Sequence, residues 1–221
     1  MSLEIKRLHL ASLQGPGDSN TWPVHGFVIT HPGGALLVDT GVGGPDKVLN
    51  DWRVVNRSAA GALAELDMTP GDIDLVINTH LHFDHCGQNA VFRHAPFYVQ
   101  RAELDSARQD SAWLAEWFDF MGARFELLDG DTEVAPGVSV ITTPGHTVGH
   151  QCVVVQAGDG APDLLIGDAA YTPRQYLAPP DAKLPPGQAS DVAAWRDSLD
   201  RIRSARAGQI HFCHHTDVIH G

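Results

Sequence analysis

The stretch "NTHLHFDHC", residues 78–86, decides how this chain is read. Four side chains able to bind a metal, His80, His82, Asp84 and His85, fall within six positions. The run ahead of them, "DLVINTH" (74–80), is apolar and reads as a strand. In an extended segment alternate residues share a side, so His80 and His82 point together. A bend after them lets Asp84 and His85 face a second position nearby. Nitrogen and oxygen donors crowded directly behind a buried strand point to a metal site rather than to solvated loop residues.

A rigid sheet positions a site best from its edge, so further donors are expected where other strands stop. Three candidates stand there. His146 follows the strand in "VSVITTPGHTVGH" (138–150), Asp168 ends "DLLIGD", and His214 lies in the closing strand "QIHFCHH" (209–215). Other strands are "FVIT" (27–30), "ALLVDTG" (35–41), "FYVQ" (97–100) and "CVVVQ". Residues 58–68 read as a short helix opened by Ser58. Residues 102–121 read as a helix whose Trp113, Leu114, Trp117, Phe118 and Met121 share one apolar face, with core packing as the default use of that face. Residues 172–189 hold five prolines and read as a loop. Ser190 then caps a helix striped by Val192, Trp195, Leu199 and Ile202. Strands in groups with helices between them predict an α/β layered sandwich, as one domain over residues 1–221.

Composition narrows the function. The 221 residues are 43% hydrophobic and 19% charged, which suits a globular enzyme and not a disordered chain. Twenty-seven acidic residues against fifteen basic ones give a formal charge of −12. That surface repels nucleic acid and anionic membranes. No apolar run approaches the ~20 residues of a membrane span, and "MSLEIKRLHL" lacks the apolar core of a signal peptide. Cys86, Cys152 and Cys213 are odd in number and widely spaced, so a reducing cytoplasm is the expected setting. No G-x-S-x-G occurs, which leaves a serine hydrolase without support.

The elements "THLHFDHCG", "TPGHTVGH" and "GDAAYT", followed by a C-terminal histidine, resemble in order and type those of the metallo-β-lactamase superfamily. The resemblance implies a four-layered αββα sandwich with a dinuclear metal site in the cleft between its sheets. It assigns His80, His82 and His146 to one metal, and Asp84, His85 and His214 to the other, with Asp168 bridging both. His215 competes with His214, because the doublet leaves the register open. Zinc is the first expectation for the two divalent ions, and manganese, cobalt or iron accept the same donors.

Within that superfamily "HLHFDHCGQN", "FYVQRAEL", "LLDGDTEVAPGVSVITTPGHTVGHQ" and "LLIGDAAYT" are similar to the quorum-quenching N-acyl homoserine lactone lactonases. The resemblance implies attack of a metal-bridging hydroxide on a lactone carbonyl. Tyr171 would donate a hydrogen bond to the carbonyl or its oxyanion, and Asp84 would carry a proton to the leaving alkoxide. The alternatives are a same-fold hydrolase of another ester, thioester or phosphoester, and a non-catalytic metal-binding relative. The partner expected is a small ester or lactone, in a monomer or a homodimer. His150 is expected to support the site rather than bind metal, Asp39 to hydrogen-bond a ligand histidine, His211 to pack, and Cys86 to fill space.

Overall fold

The computed structural model describes residues 3–109, 115–179 and 187–221. Its strands are β1 (Glu4–Leu13), β2 (Trp22–His31), β3 (Gly34–Val38), β4 (Val55–Asn56), β5 (Leu75–Ile77), β6 (Phe97–Gln100), β7 (Phe125–Leu128), β8 (Thr132–Ala135), β9 (Val138–Thr142), β10 (Gln151–Val155), β11 (Asp163–Leu165), β12 (Gln209–His211) and β13 (Val218–His220). Its helices are α1 (Asp46–Asp51), α2 (Ala59–Ala64), α3 (Phe83–Cys86), α4 (Arg101–Gln109), α5 (Pro173–Leu177) and α6 (Val192–Ser204).

The strands form two mixed sheets, ordered β4-β1-β2-β3-β5-β6-β7 and β13-β12-β11-β10-β9-β8. The period-2 alternation of side chains explains how they stack. Phe27, Ile29, Leu36 and Val38 of the first sheet meet Val140, Val153, Val155 and Leu165 of the second in one inter-sheet core. Their neighbours Val28, Ala35 and Leu37 face outward and pack on Ala59, Ala62 and Leu63 of α2. On the far side Cys152, Leu164 and Ile210 pack on Trp195, Leu199 and Ile202 of α6. The result is the four-layered αββα sandwich.

Gln151 joins the two sheets at the cleft end. Its backbone N–H donates to Thr79 O at 2.9 Å, and its amide nitrogen to Asn78 O at 2.9 Å. Its own Oε1 accepts from Gln100 Nε2 at 2.9 Å. These amides are buried, so each bond replaces water that has been excluded.

Several expected elements differ. Of the helix predicted over 102–121, the described residues are α-helical over Arg101–Gln109, and a 3-10 turn covers Ala115–Trp117 instead. Met121 is 96% exposed and has no share in an apolar face, whereas Phe118 is fully buried; Trp113 and Leu114 lie outside the described residues. The cap of α6 is Asp191, whose carboxylate accepts the N–H groups of Ala193 and Ala194, while Ser190 Oγ donates to Gly145 O. The strand expected over 209–215 ends at His211 as β12, and β13 pairs with it as an unexpected closing strand. The loop predicted over 172–189 holds α5, opened by the Thr172 hydroxyl and Pro173.

Candidate metal centre

All seven candidate ligands converge at one end of the sandwich. His80 and His82 lie between β5 and α3, and Asp84 and His85 lie within α3. His146 sits in the loop joining β9 to β10, Asp168 in a 3-10 turn after β11, and His214 just past β12. The α3 turn is clamped from behind by the loop after β3. Thr40 N–H donates to His85 O at 2.7 Å, Gly43 N–H to Phe83 O at 3.0 Å, and Gly87 N–H to Gly41 O at 2.9 Å. A Cβ on Gly87 would come within 1.8 Å of Gly43 N, so the close crossing requires glycine there.

The donors fall into two sets. His82 Nδ1 lies 2.9 Å from His80 Nε2 and 2.9 Å from His146 Nε2, and the latter two are 3.2 Å apart. Three imidazoles on a tetrahedral zinc, at ~2.0–2.1 Å each, would stand roughly 3.3 Å apart. In the second set His85 Nε2 and His214 Nε2 each lie 3.2 Å from Asp168 Oδ1. Asp84 Oδ2 is 3.5 Å from His214 Nε2 and 3.9 Å from His85 Nε2. Asp168 spans the sets, because its Oδ2 lies 3.3 Å from His146 Nε2 and 4.0 Å from His80 Nε2. His215 turns away, accepting the Asp217 N–H at its Nδ1.

The donor set fits a pair of cations. Asp168 Oδ1 is buried without a hydrogen-bond partner among the described residues, as is His146 Nδ1. An orphaned carboxylate oxygen facing two imidazole nitrogens at 3.2 Å is costly unless something positive satisfies it.

Outer contacts aim the candidate ligands. Asp39, in the left-handed region at φ 57°, accepts Thr79 N–H at Oδ1, and both the Thr79 hydroxyl and His85 Nδ1 at Oδ2, each at 2.8 Å. His214 Nδ1 donates to Pro23 O at 2.9 Å. Both rings therefore turn Nε2 inward. His150 is fully buried. Its Nδ1 donates to Thr143 O at 3.1 Å and its Nε2 accepts Asp168 N–H at 3.1 Å. Burial lowers the His150 pKa to about 4, which keeps that nitrogen an acceptor. His211 packs its ring against Phe27, and Cys86 Sγ donates to Leu81 O.

Glu103 of α4 is a residue that no local sequence pattern marks. Its buried carboxylate accepts Leu81 N–H at 2.9 Å, the Thr147 hydroxyl at 2.7 Å and Gly149 N–H at 3.0 Å. It thus ties the His80–His82 segment to the His146 loop. Burial raises its pKa, and those three donors pull against the rise.

The electrostatics divide along the same line as the donors. Burial, and then its histidine neighbours, pushes the His80 pKa well below the ordinary value. Burial does the same for His146. At His85 and His214 burial is opposed and outweighed by acidic neighbours, Asp168 and Asp84 at both, so both pKa values rise, that of His214 to about 10. Burial works against ionised Asp168, yet His85, His214 and His146 hold its pKa well below the carboxylate range. The second set is therefore the more negatively biased place for a cation.

A cavity of about 530 Å³ opens above these groups. His82, Asp84, His146, Asp168 and His214 form its floor, and Leu13, Trp22, Val48, Trp52, Phe83 and Trp117 its walls. Tyr171 also lines it, with its ring 5.4 Å from that of His214 and 6.0 Å from that of His146. Its hydroxyl oxygen accepts Gln188 N–H at 3.4 Å. Burial, and then Asp168, raises its pKa, so the phenol keeps its proton.

Such a site on an αββα sandwich defines a class, and the chain belongs to the metallo-beta-lactamase superfamily, whose model matches residues 20–214. Among the relatives it matches are the N-acyl homoserine lactonase of a Bacillus species, 32% identical over 73% of this chain and 69% of that one, and the N-acyl homoserine lactonase AttM of Rhizobium radiobacter, 31% identical over 77% and 74%. The crystal structure of a quorum-quenching N-acyl homoserine lactone lactonase is similar at a TM-score of 0.82 and 26% identity, covering 97% of this chain and 93% of that one. An N-acyl homoserine lactone hydrolase with the product N-hexanoyl-L-homoserine bound at its catalytic metal centre is similar at a TM-score of 0.78 and 25% identity, covering 97% and 94%.

Proposed function

We propose that this chain is a single-domain, dinuclear metal-dependent lactonase that opens N-acyl homoserine lactones. The observation that carries the reading is the pair of donor sets sharing Asp168 beneath an apolar-walled cavity. His80, His82 and His146 would hold one divalent ion, Asp84, His85 and His214 the other, with Asp168 between them. When bound, such ions supply Lewis-acid polarisation of a carbonyl and hydroxide at neutral pH. Zinc suits a donor set of imidazoles and carboxylates. The relatives named for N-acyl homoserine lactones support the substrate class.

The chain's own groups account for the remaining steps. The apolar walls receive an acyl chain and exclude water from it. Tyr171 keeps its phenol proton and, with its oxygen accepting from Gln188, presents that proton to the carbonyl as it becomes an oxyanion. Asp84 lies on the cavity floor beside the second donor set, where its carboxylate takes the nucleophile's proton and returns it to the ring-opened alkoxide. The product is the N-acyl homoserine. Cys86, Cys152 and Cys213 are buried and unpaired, which supports a reducing cytoplasm as the working compartment.

The test is a pH-stat assay of proton release with N-acyl homoserine lactones, aryl esters, thioesters and phosphotriesters, paired with metal analysis. Lactones should turn over fastest, in protein carrying about two ions per chain. Inert lactones beside rapid turnover of another ester would replace the substrate assignment. His214→Ala should lose the second ion, whereas His215→Ala should keep both.

A further inference from the structure

The thiol of Cys213 has no part in the reaction described above. The chain leaves β12 at His211 and passes through Phe212 and Cys213 before His214. Cys213 is 1% exposed, and its Sγ stands 4.0 Å from His85 Nε2. Donor atoms of Cys213, His85, Asp168 and His214 all lie within 4.8 Å of one another. The orphaned Asp168 Oδ1, on a side chain 4% exposed, points into that group. A sulfur and a nitrogen on one zinc, at ~2.3 Å and ~2.0–2.1 Å and separated by an angle of about 109°, stand roughly 3.5 Å apart. The observed separation is only slightly longer. At present Sγ donates to His25 O at 3.2 Å, a weak neutral bond, and the thiol otherwise adjoins a small apolar cluster of Ala11, Leu13, Val24 and Val42.

We propose that Cys213 supplies a sulfur ligand to the second cation, joining Asp84, His85, Asp168 and His214. The inference rests on the dinuclear reading above. On binding, the bond to His25 O is given up, a metal–sulfur bond forms and the thiol proton passes to solvent. One sulfur donor makes the second position softer than the first, which has imidazoles and a shared carboxylate. The second position then discriminates towards zinc and cobalt and against manganese.

The test is spectroscopic. Metal-stripped protein is titrated with cobalt(II), and absorption is followed alongside bound cobalt. Wild type should bind two ions per chain and show a sulfur-to-cobalt charge-transfer band in the near ultraviolet. Cys213→Ser should lose the band and bind the second ion at least about tenfold more weakly, a loss as large as that from removing an outer-shell partner or larger. Cys152→Ser should keep both band and affinity. Cys213→Ala provides the same comparison if the serine variant does not fold. Two bound ions without a band in wild type overturn the sulfur ligand and leave the dinuclear site standing. A band that survives Cys213→Ser overturns it as well. Fewer than one bound ion after reloading overturns the dinuclear site itself.

Discussion

Tyr171 and Glu103 show how differently single side chains can serve one centre. Tyr171 touches the cavity but bonds to no candidate ligand, so Tyr171→Phe should leave two ions bound while kcat falls by about 10²–10³-fold, as for other lost oxyanion donors. Unchanged kcat and KM in steady-state assays would remove the phenol from the reaction. Glu103 never reaches the cavity, yet Glu103→Ala strands three buried donors, those of Leu81, Thr147 and Gly149. Each unsatisfied group costs about 1–3 kcal/mol. The variant should melt at lower temperature and bind metal about 10–100-fold more weakly, read by calorimetry and chelator competition. An unchanged melting temperature and metal affinity would show that the two loops hold their positions without the carboxylate. The motif around His80 is legible because its chemistry is local. Glu103, the Pro23 carbonyl and Asp39 acquire their roles only through contacts across the fold, His214 to Pro23 spanning 191 positions.

Among the elements, short apolar runs were readable and irregular joins were not. "FYVQ" is β6 as it stands, since three β-prone residues, Phe97, Tyr98 and Val99, just after a proline and close to a helix start leave little choice. The expectation for 102–121 failed where it relied on spacing alone. Phe118 turns inward and Met121 outward once the helix has ended, so residues three apart no longer share a face. Ser190 and Asp191 are both competent caps, and only the backbone register, with Ser190 engaged by Gly145, chooses the aspartate. The α3 turn makes the sharpest demand on sequence. Because a methyl on Gly87 would collide with Gly43 N, Gly87→Ala should push α3 off the loop behind it. Loss of the second ion in metal analysis, with the first retained, is the expected signature, since His85 and Asp84 ride on that turn. Retention of both ions would mean that the crossing loops separate without moving the ligands.

For the molecule as a whole, buried imidazoles set the response to acid. His25 and His150 are lowered to about 4, chiefly by burial, and His80 and His146 lie well below their ordinary value. Such groups stay neutral in the folded chain and take up protons on unfolding, so below about 6.5 the unfolded state binds more protons. Stability should therefore fall as pH drops from about 6.5 towards 4. The raised His85 and His214 do not offset this, because their contribution is already complete below about 6.5. Urea midpoints measured across that range test the sign, and a flat profile would contradict it. The candidate ligands also come from both layers of strands, His80 to His85 from one and His146, Asp168 and His214 from the other. Neither layer can assemble the centre alone. Ion uptake thus serves as an internal gauge of assembly: a molecule whose layers have mated out of register has nowhere to lodge the pair, and specific activity counts the correctly mated fraction.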